Sequence, residues 1–340
     1  AAIQMALYVF VGNFMLQIPE FTFKLWLILF SCSVCAGMIG LNISAAFKTV
    51  VTIYIMIPLL LVPQIILGGM VVPFDDLISP NSPHNRVPVM GNCMLSRWGF
   101  EALVVELFSS NRFQAPYTEL DREINRADYM INYYVPALRS RIDFPFLKQS
   151  GPDHPQKVED ALKLLQNEFT DLAEEEKITL SLAPDAFGKG YSRSVAGQLK
   201  TCLAEVTQEY RKKRNIADKK RRTLEARRIQ KMGKTAYRKL EKDYQNKSLV
   251  DLVRNRENLD DYRISNHRIV RLSDPIFTKA LSPLGGAPFF AGHRKIGLFV
   301  VSAYGFDFGM LWMVSLMLYA CLYWNLLTHL LKIKPRVFFK

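Results

Sequence analysis

Cysteine and histidine are both scarce in this 340-residue chain, at five each, and neither is spaced for chemistry. His84, His154, His267, His293 and His329 are scattered, and no cysteine pattern reads as a metal site. Cys32, Cys35 and Cys321 fall in apolar runs, where a thiol acts as a small hydrophobe. Cys32-x-x-Cys35 has the spacing of a redox pair, but its place in an apolar helix favours packing. Cys93 and Cys202 lie in the polar middle of the chain, where a disulfide between them is an open alternative. No Ser/His/Asp or Cys/His arrangement argues nucleophilic catalysis. Gly286–Lys295, GAPFFAGHRK, hints at a phosphate loop, but the spacing is wrong and no Ser or Thr follows the lysine. With no Walker motif, the chain itself is not expected to hydrolyse ATP or to be an enzyme. A signal peptide is missing too. The chain opens Ala1-Ala2-Ile3-Gln4 inside an apolar run and is read as truncated at its N-terminus.

Charge is nearly absent from residues 1–73 and 297–331, while residues 74–295 hold most of it, including most of the net +13. Such segregation indicates a membrane protein with one large aqueous insertion. The run Arg211–Arg228, RKKRNIADKKRRTLEARR, resembles a nucleic-acid patch. No aromatic interleaves it as a base-stacking platform requires, so no nucleic-acid partner is expected. A solvated helix face is the plainer reading, and contact with anionic membrane lipids the alternative.

The uncharged stretch Val50–Pro73, VVTIYIMIPLLLVPQIILGGMVVP, organises the rest. At about 1.5 Å per residue, one helix of this length would cross a hydrocarbon layer about 30 Å thick. Pro58, Pro63 and Gly68-Gly69 interrupt it, which membrane helices tolerate. Ala1–Gln17 is too short to span fully. Leu25–Phe47 is a second span, with Ala36, Gly40 and Ser44 at spacing four, a small-residue face that lets another helix approach. Chance in a helix rich in such residues would explain them equally. Lys48-Thr49 closes a tight helical hairpin. The last span is Asp307–Leu331, with Asp307 opening it as an acidic residue at a helix N-terminus. The basic tail Lys332, Lys334, Arg336 and Lys340, together with Lys48, points to the cytoplasm and places the insertion outside.

Within the insertion, Ser79–Pro88 reads as a loop, and Gly91–Phe108 ends with helical spacing at Phe100, Leu103, Val104 and Leu107. Val158, Leu162, Leu165, Phe169 and Leu172 form a coiled-coil-like seam. A second long helical region, from about Ser194 to Arg254, puts Leu199, Leu203, Val206 and Tyr210 on one face. The two are expected to pack antiparallel as a stalk joined at Ala183–Tyr191. Ile296–Tyr304 lies along the interface or pairs locally. The expected fold is all-α: a polytopic helical membrane protein with a large helical extracytoplasmic insertion. Its parts are membrane helices over 1–73, a membrane-return segment over 74–111, the insertion over 112–280, a return over 281–306, and the last helix and tail over 307–340.

Gly40–Ala45 (GLNISA), Pro58–Leu77 (PLLLVPQIILGGMVVPFDDL) and Ser96–Leu103 (SRWGFEAL), in this order and at these distances, carry a resemblance. Together they resemble the membrane half of a type-2 ABC exporter of the G, or white-like, subfamily, and bacterial proteins that carry an ATPase domain ahead of the permease in one chain. The resemblance covers roughly residues 1–110 and 280–340; residues 112–280 depart from it, since the usual external loop is much shorter. It implies the remnant of a third helix and whole fourth, fifth and sixth helices. It also implies a homodimer, and an ATPase domain in the same chain or a separate subunit that binds ATP and Mg. Alternating access would move an amphipathic or lipid-like substrate. The fifth helix would line the pathway with Pro58, Val62, Gln64 and Ile65, while Met70 and Val71 match an apolar plug at the outer exit. Helix packing is the alternative for each of these residues. The competing function class is a membrane-anchored helical interaction or mechanotransmission protein that moves no substrate.

Overall fold

The computed structural model describes residues 1–16, 22–47, 49–72, 74, 87–147, 154–176, 186–188, 190–256, 258–278 and 286–327. The chain divides into two compact units. One comprises Ala1–Ile78, Arg86–Asn111 and Lys279–Lys340; the other comprises Ser79–Asn85 and Arg112–Thr278.

The first unit begins with α1 (Ala2–Leu16), α2 (Thr22–Ala46) and α3 (Val50–Ile66). A one-turn helix, α4 (Val89–Asn92), leads into α5 (Leu95–Ser109). The hairpin of β3 (His293–Ile296) and β4 (Phe299–Ser302) then feeds α12 (Ala303–Tyr323). Among the described residues, α2 over Phe23–Ala46 and α12 are long and apolar enough to cross a membrane. They lie against each other and against α5. Polar side chains hold the α2–α12 contact. The Cys35 thiol hydrogen-bonds the Leu311 carbonyl, Asn42 Nδ2 donates to the Leu318 carbonyl at 3.0 Å, and Trp312 Nε1 donates to Ser31 Oγ at 3.2 Å. In hydrocarbon such bonds hold helices together where apolar contact alone gives little preference. Gly99 lets α5 approach α2: a Cβ there would sit 2.6 Å from Cys32 Sγ.

The uncharged run does not continue as helix to Pro73. Helix α3 stops at Ile66, giving 17 residues and a rise of about 25 Å. The reason is Gly68-Gly69. Gly69 takes φ +79°, and a Cβ on it would strike the rings of Phe74 and Phe289. The last span also differs in register from its expected start at Asp307, because Ser302 caps the helix through the Gly305 amide. Ile296–Tyr304 pairs locally, as β4 with β3 and the head of α12. Most of the expected loop Ser79–Pro88, namely residues 79–86, lies outside the described residues. So do Lys48 and the tail from residue 328, and with them the orientation signals.

The second unit is built on α6 (Thr118–Tyr129), a π-helical turn (Met130–Tyr134) and α7 (Val135–Asp143), which follow without a break. The remaining helices are α8 (His154–Glu176), the 40-residue α9 (Arg193–Met232), α10 (Lys234–Tyr244) and α11 (Lys247–Val253). The hairpin of β1 (Tyr262–Ser265) and β2 (Arg268–Arg271) completes it, turning at Asn266 and His267, both left-handed. Leu165, Phe169 and Leu172 are buried, as are Leu199, Leu203, Val206 and Tyr210, all in one core; Val158 and Leu162 are half-buried.

The antiparallel stalk is corrected. Helix α9 packs along α6 and α7, and α8 packs on α7 and β2. The element both helices use is the Thr118–Asp143 rod, not each other. Their apolar faces share one core with that rod, and a polar link lies at one end, where Tyr210 and Lys213 donate to Glu176. The fold is mostly helical, as expected, and two short antiparallel hairpins occur among the described residues. No disulfide forms. Cys93 is exposed, and Cys202 is buried in the core of the second unit.

Candidate functional site

Four charged side chains meet inside the first unit. Arg97 and Glu101 are one turn apart on α5, and Arg97 Nη2 lies 2.7 Å from Glu101 Oε2. Strand β3 brings in Arg294, whose Nη2 donates to Glu101 Oε1 at 2.5 Å and whose Nε lies 3.5 Å from Asp307 Oδ1 on α12. All four are buried. Two positive and two negative groups cancel, which is the condition under which charge tolerates removal from water. Phe290 takes a left-handed φ of +64°, which no side chain favours, and its amide donates to Glu101 Oε1 at 3.2 Å. Its backbone is held there by the ring contacts of Phe290 with Phe100 and Phe289.

An aromatic wall surrounds the charges. The Arg97 guanidinium stands 3.7 Å from the centre of the Trp98 ring, and Arg294 stands 5.2 Å from that of Phe306. Trp98 Nε1 in turn donates to the Asn92 carbonyl at 2.9 Å, fixing the ring. The Asp307 carboxylate has no hydrogen-bond partner among the described residues and is held by charge alone. Asp307 is therefore not a simple helix-terminal acid. It is the far end of a chain of alternating charges running Arg97, Glu101, Arg294, Asp307.

This arrangement holds no nucleophile beside a base, and no metal-binding group occurs among the described residues. What it does chemically is join three elements through one shared guanidinium, since Arg294 on β3 meets both Glu101 on α5 and Asp307 on α12. Glu101 answers to two guanidinium groups at once, so a shift of β3 or α12 would re-pair charges inside a closed space. Ionisable groups buried in a membrane domain are rare and mark working parts. Gly286–Lys295 holds a turn followed by β3, with Arg294 turned inward to Glu101.

The sequence-derived site residues lie elsewhere. Pro58, Val62 and Ile65 are exposed on α3, of which no residue is buried, and Met70 and Val71 are exposed just after it. Gln64 differs. Its Oε1 accepts the Ser96 amide at 3.0 Å and its carbonyl accepts Ser96 Oγ, so it ties α3 to the head of α5. Ala36, Gly40 and Ser44 are exposed; α2 meets α12 with the face of Ser31, Cys35 and Asn42 instead. The charge cluster was missed because its one local sign, Arg97 and Glu101 at i,i+4, is also the commonest pattern on a solvated helix.

Residues 1–108 match the family model described as ABC-2 type transporter, a stretch that contains α1 to α4, most of α5, and Arg97 and Glu101. No curated protein and no solved structure matches the chain. The family match supports a permease component of an ABC transporter, and with the two apolar helices a membrane protein.

Proposed function

We propose that this chain is the permease part of a bacterial ATP-binding-cassette exporter of the G subfamily, moving an amphipathic or lipid-like substrate by alternating access. The observation that carries the reading is the match of residues 1–108 to the ABC-2 type transporter family. The substrate class follows from α3, an uncharged helix whose apolar side chains are uncovered within this chain and which offers little polar recognition. Pro58, Val62 and Ile65 line the pathway, Gln64 fixes the lining helix to α5, and Met70 with Val71 narrows the outer exit. Two copies complete the pathway. ATP and Mg act at an ATPase domain in the same polypeptide or a separate subunit, in keeping with the lack of a Walker motif in this sequence. The protein sits in the cytoplasmic membrane, with the second unit outside and the C-terminus inside.

The test is ATP-dependent movement of a fluorescent lysophospholipid in proteoliposomes that hold the full-length protein and its ATPase. Absence of an ATPase, fused or associated, together with no movement, favours the membrane-anchored interaction or mechanotransmission protein instead. Orientation is tested by labelling Thr201→Cys, an exposed position on α9, in a background with Cys93→Ser. Labelling in intact cells is expected; labelling only after membrane disruption reverses the topology.

A further inference from the structure

The β3–β4 hairpin has two unlike faces. Its register pairs Arg294 with Val301 and Ile296 with Phe299, so these four side chains share one face. His293, Lys295, Val300 and Ser302 share the other. At the base, the first face is seated: Arg294 is buried against Glu101 and Val301 is half-buried. Towards the tip the protein beneath it ends. Ile296 is 47 % exposed, Phe299 76 % and Leu298, in the turn, 92 %. Gly297, at φ +57°, lets the turn close in two residues and so puts Leu298 at the extreme end.

A contiguous apolar tip of this kind marks a contact surface. Its position says which. Ser302, the last residue of β4, is the N-cap of α12, a candidate membrane span with Met313, Leu316 and Met317 exposed on its flank. Three strand steps, about 10 Å, separate Ser302 from Phe299. The exposed tip therefore lies within three strand steps of the head of a candidate span, whose first large exposed apolar side chain, Met313, comes about 16 Å further along the helix.

We propose that the β3–β4 tip inserts into the acyl-chain layer of the bilayer. Ile296, Leu298 and Phe299 are covered by lipid, and Lys295 on the other face reaches back to phosphate headgroups. Because Arg294 sits on the same strand, the lipid-seated tip and the buried charge cluster are parts of one rigid hairpin. The inference rests on the membrane permease reading of the first unit.

The experiment places the photo-crosslinker p-benzoylphenylalanine at one position at a time in the full chain: Leu298, Phe299, His293 on the opposite face, and Leu316 on α12. The protein is reconstituted in vesicles of a monounsaturated phosphatidylcholine with a labelled acyl chain. Lipid adducts are expected at positions 298 and 299 as strongly as at 316, and several-fold more weakly at 293. Lipid adducts at 316 with none at 298 and 299 overturn the insertion and leave the membrane reading standing. So does a cross-link between two copies in place of lipid at 298 and 299, which would make the tip an oligomer contact. No adduct at 316 would overturn both.

Discussion

Arg294 and Glu101 are 193 positions apart in the chain, yet their side chains meet at 2.5 Å with neither open to solvent. Everything between them, including nearly all of the second unit, is inserted between the two halves of one ion pair. Closing the first unit therefore requires that the chain return accurately to Glu101 after that whole length.

Removing one side of this pair leaves the other buried and uncompensated. Glu101→Ala is expected to destabilise the first unit by about 3–5 kcal/mol, and Arg294→Ala by a similar amount. Thermal stability of the detergent-solubilised protein measures it. A double variant, Glu101→Leu with Arg294→Met, should recover much of the loss in fold, since it removes one charge of each sign and leaves Arg97 and Asp307 to balance each other. If the double variant is no better than either single one, the two residues do not act as a pair.

Gly69 is expected to tolerate no side chain. Gly69→Val adds strain at φ +79° and drives methyl groups into Phe74 and Phe289. A cost of about 2 kcal/mol or more is expected, seen as a lower melting temperature. Gly40→Ala, at a site with nothing within 4 Å, is the control and should be nearly silent for stability.

Glu168 gives the second unit a pH dependence. It is buried and accepts from Tyr134 Oη at 2.7 Å and from the Ile269 amide at 2.8 Å. Burial raises its carboxyl above the ordinary glutamate range, and the two hydrogen bonds only partly oppose this. The folded state thus holds a proton that the unfolded state has already lost. The site contributes most when protonated, and that contribution falls as pH rises from about 4.3, the unfolded value, through the raised folded one. Thermal melts of the full chain across this window should show stability dropping with pH. Glu168→Gln should flatten that slope and melt higher at neutral pH; an unchanged slope would assign it to other groups.

Leu165→Asp places an unpaired charge in the packed core of the second unit and should cost about 3 kcal/mol or more. Reversing Lys219, Lys220 and Arg222 to Glu should leave folding intact, since these side chains are exposed. Arg221 is different: its Nε lies 2.5 Å from Asp121 Oδ1, so Arg221→Glu should loosen α9 from α6. Circular dichroism melts of the four-charge and three-charge reversals separate the two roles. Equal melting would show that Arg221 is as dispensable as its neighbours.

The membrane-length helices were legible because a long uncharged run has few other uses, and the faces of α8 and α9 were legible because their periodicity is regular. The rod they pack on was not. Thr118–Asp143 mixes charges with tyrosines, and its π turn breaks the period of 3.6 on which a helical face is recognised. The end of α3 was misread because Gly68-Gly69 looks tolerable in a membrane helix until the rings of Phe74 and Phe289 are seen beside it. The buried cluster joins residues that no local window contains. Asp307 in particular has a sufficient local explanation as a helix-opening acid, and only the arrival of Arg294 replaces it.

The π turn at Met130–Tyr134 also takes up one residue more than a plain α-helical turn of the rod would hold. Deleting one residue from α6 instead, where no such slack exists, would rotate all that follows by about 100° and shift it by about 1.5 Å. Leu138 and Ile142, now fully buried, would swing out of the core, and Tyr134 would leave Glu168. The α-helical parts of the rod can therefore accept exchanges of side chain far more readily than a change of one in their count, while the π turn is where such a change is absorbed.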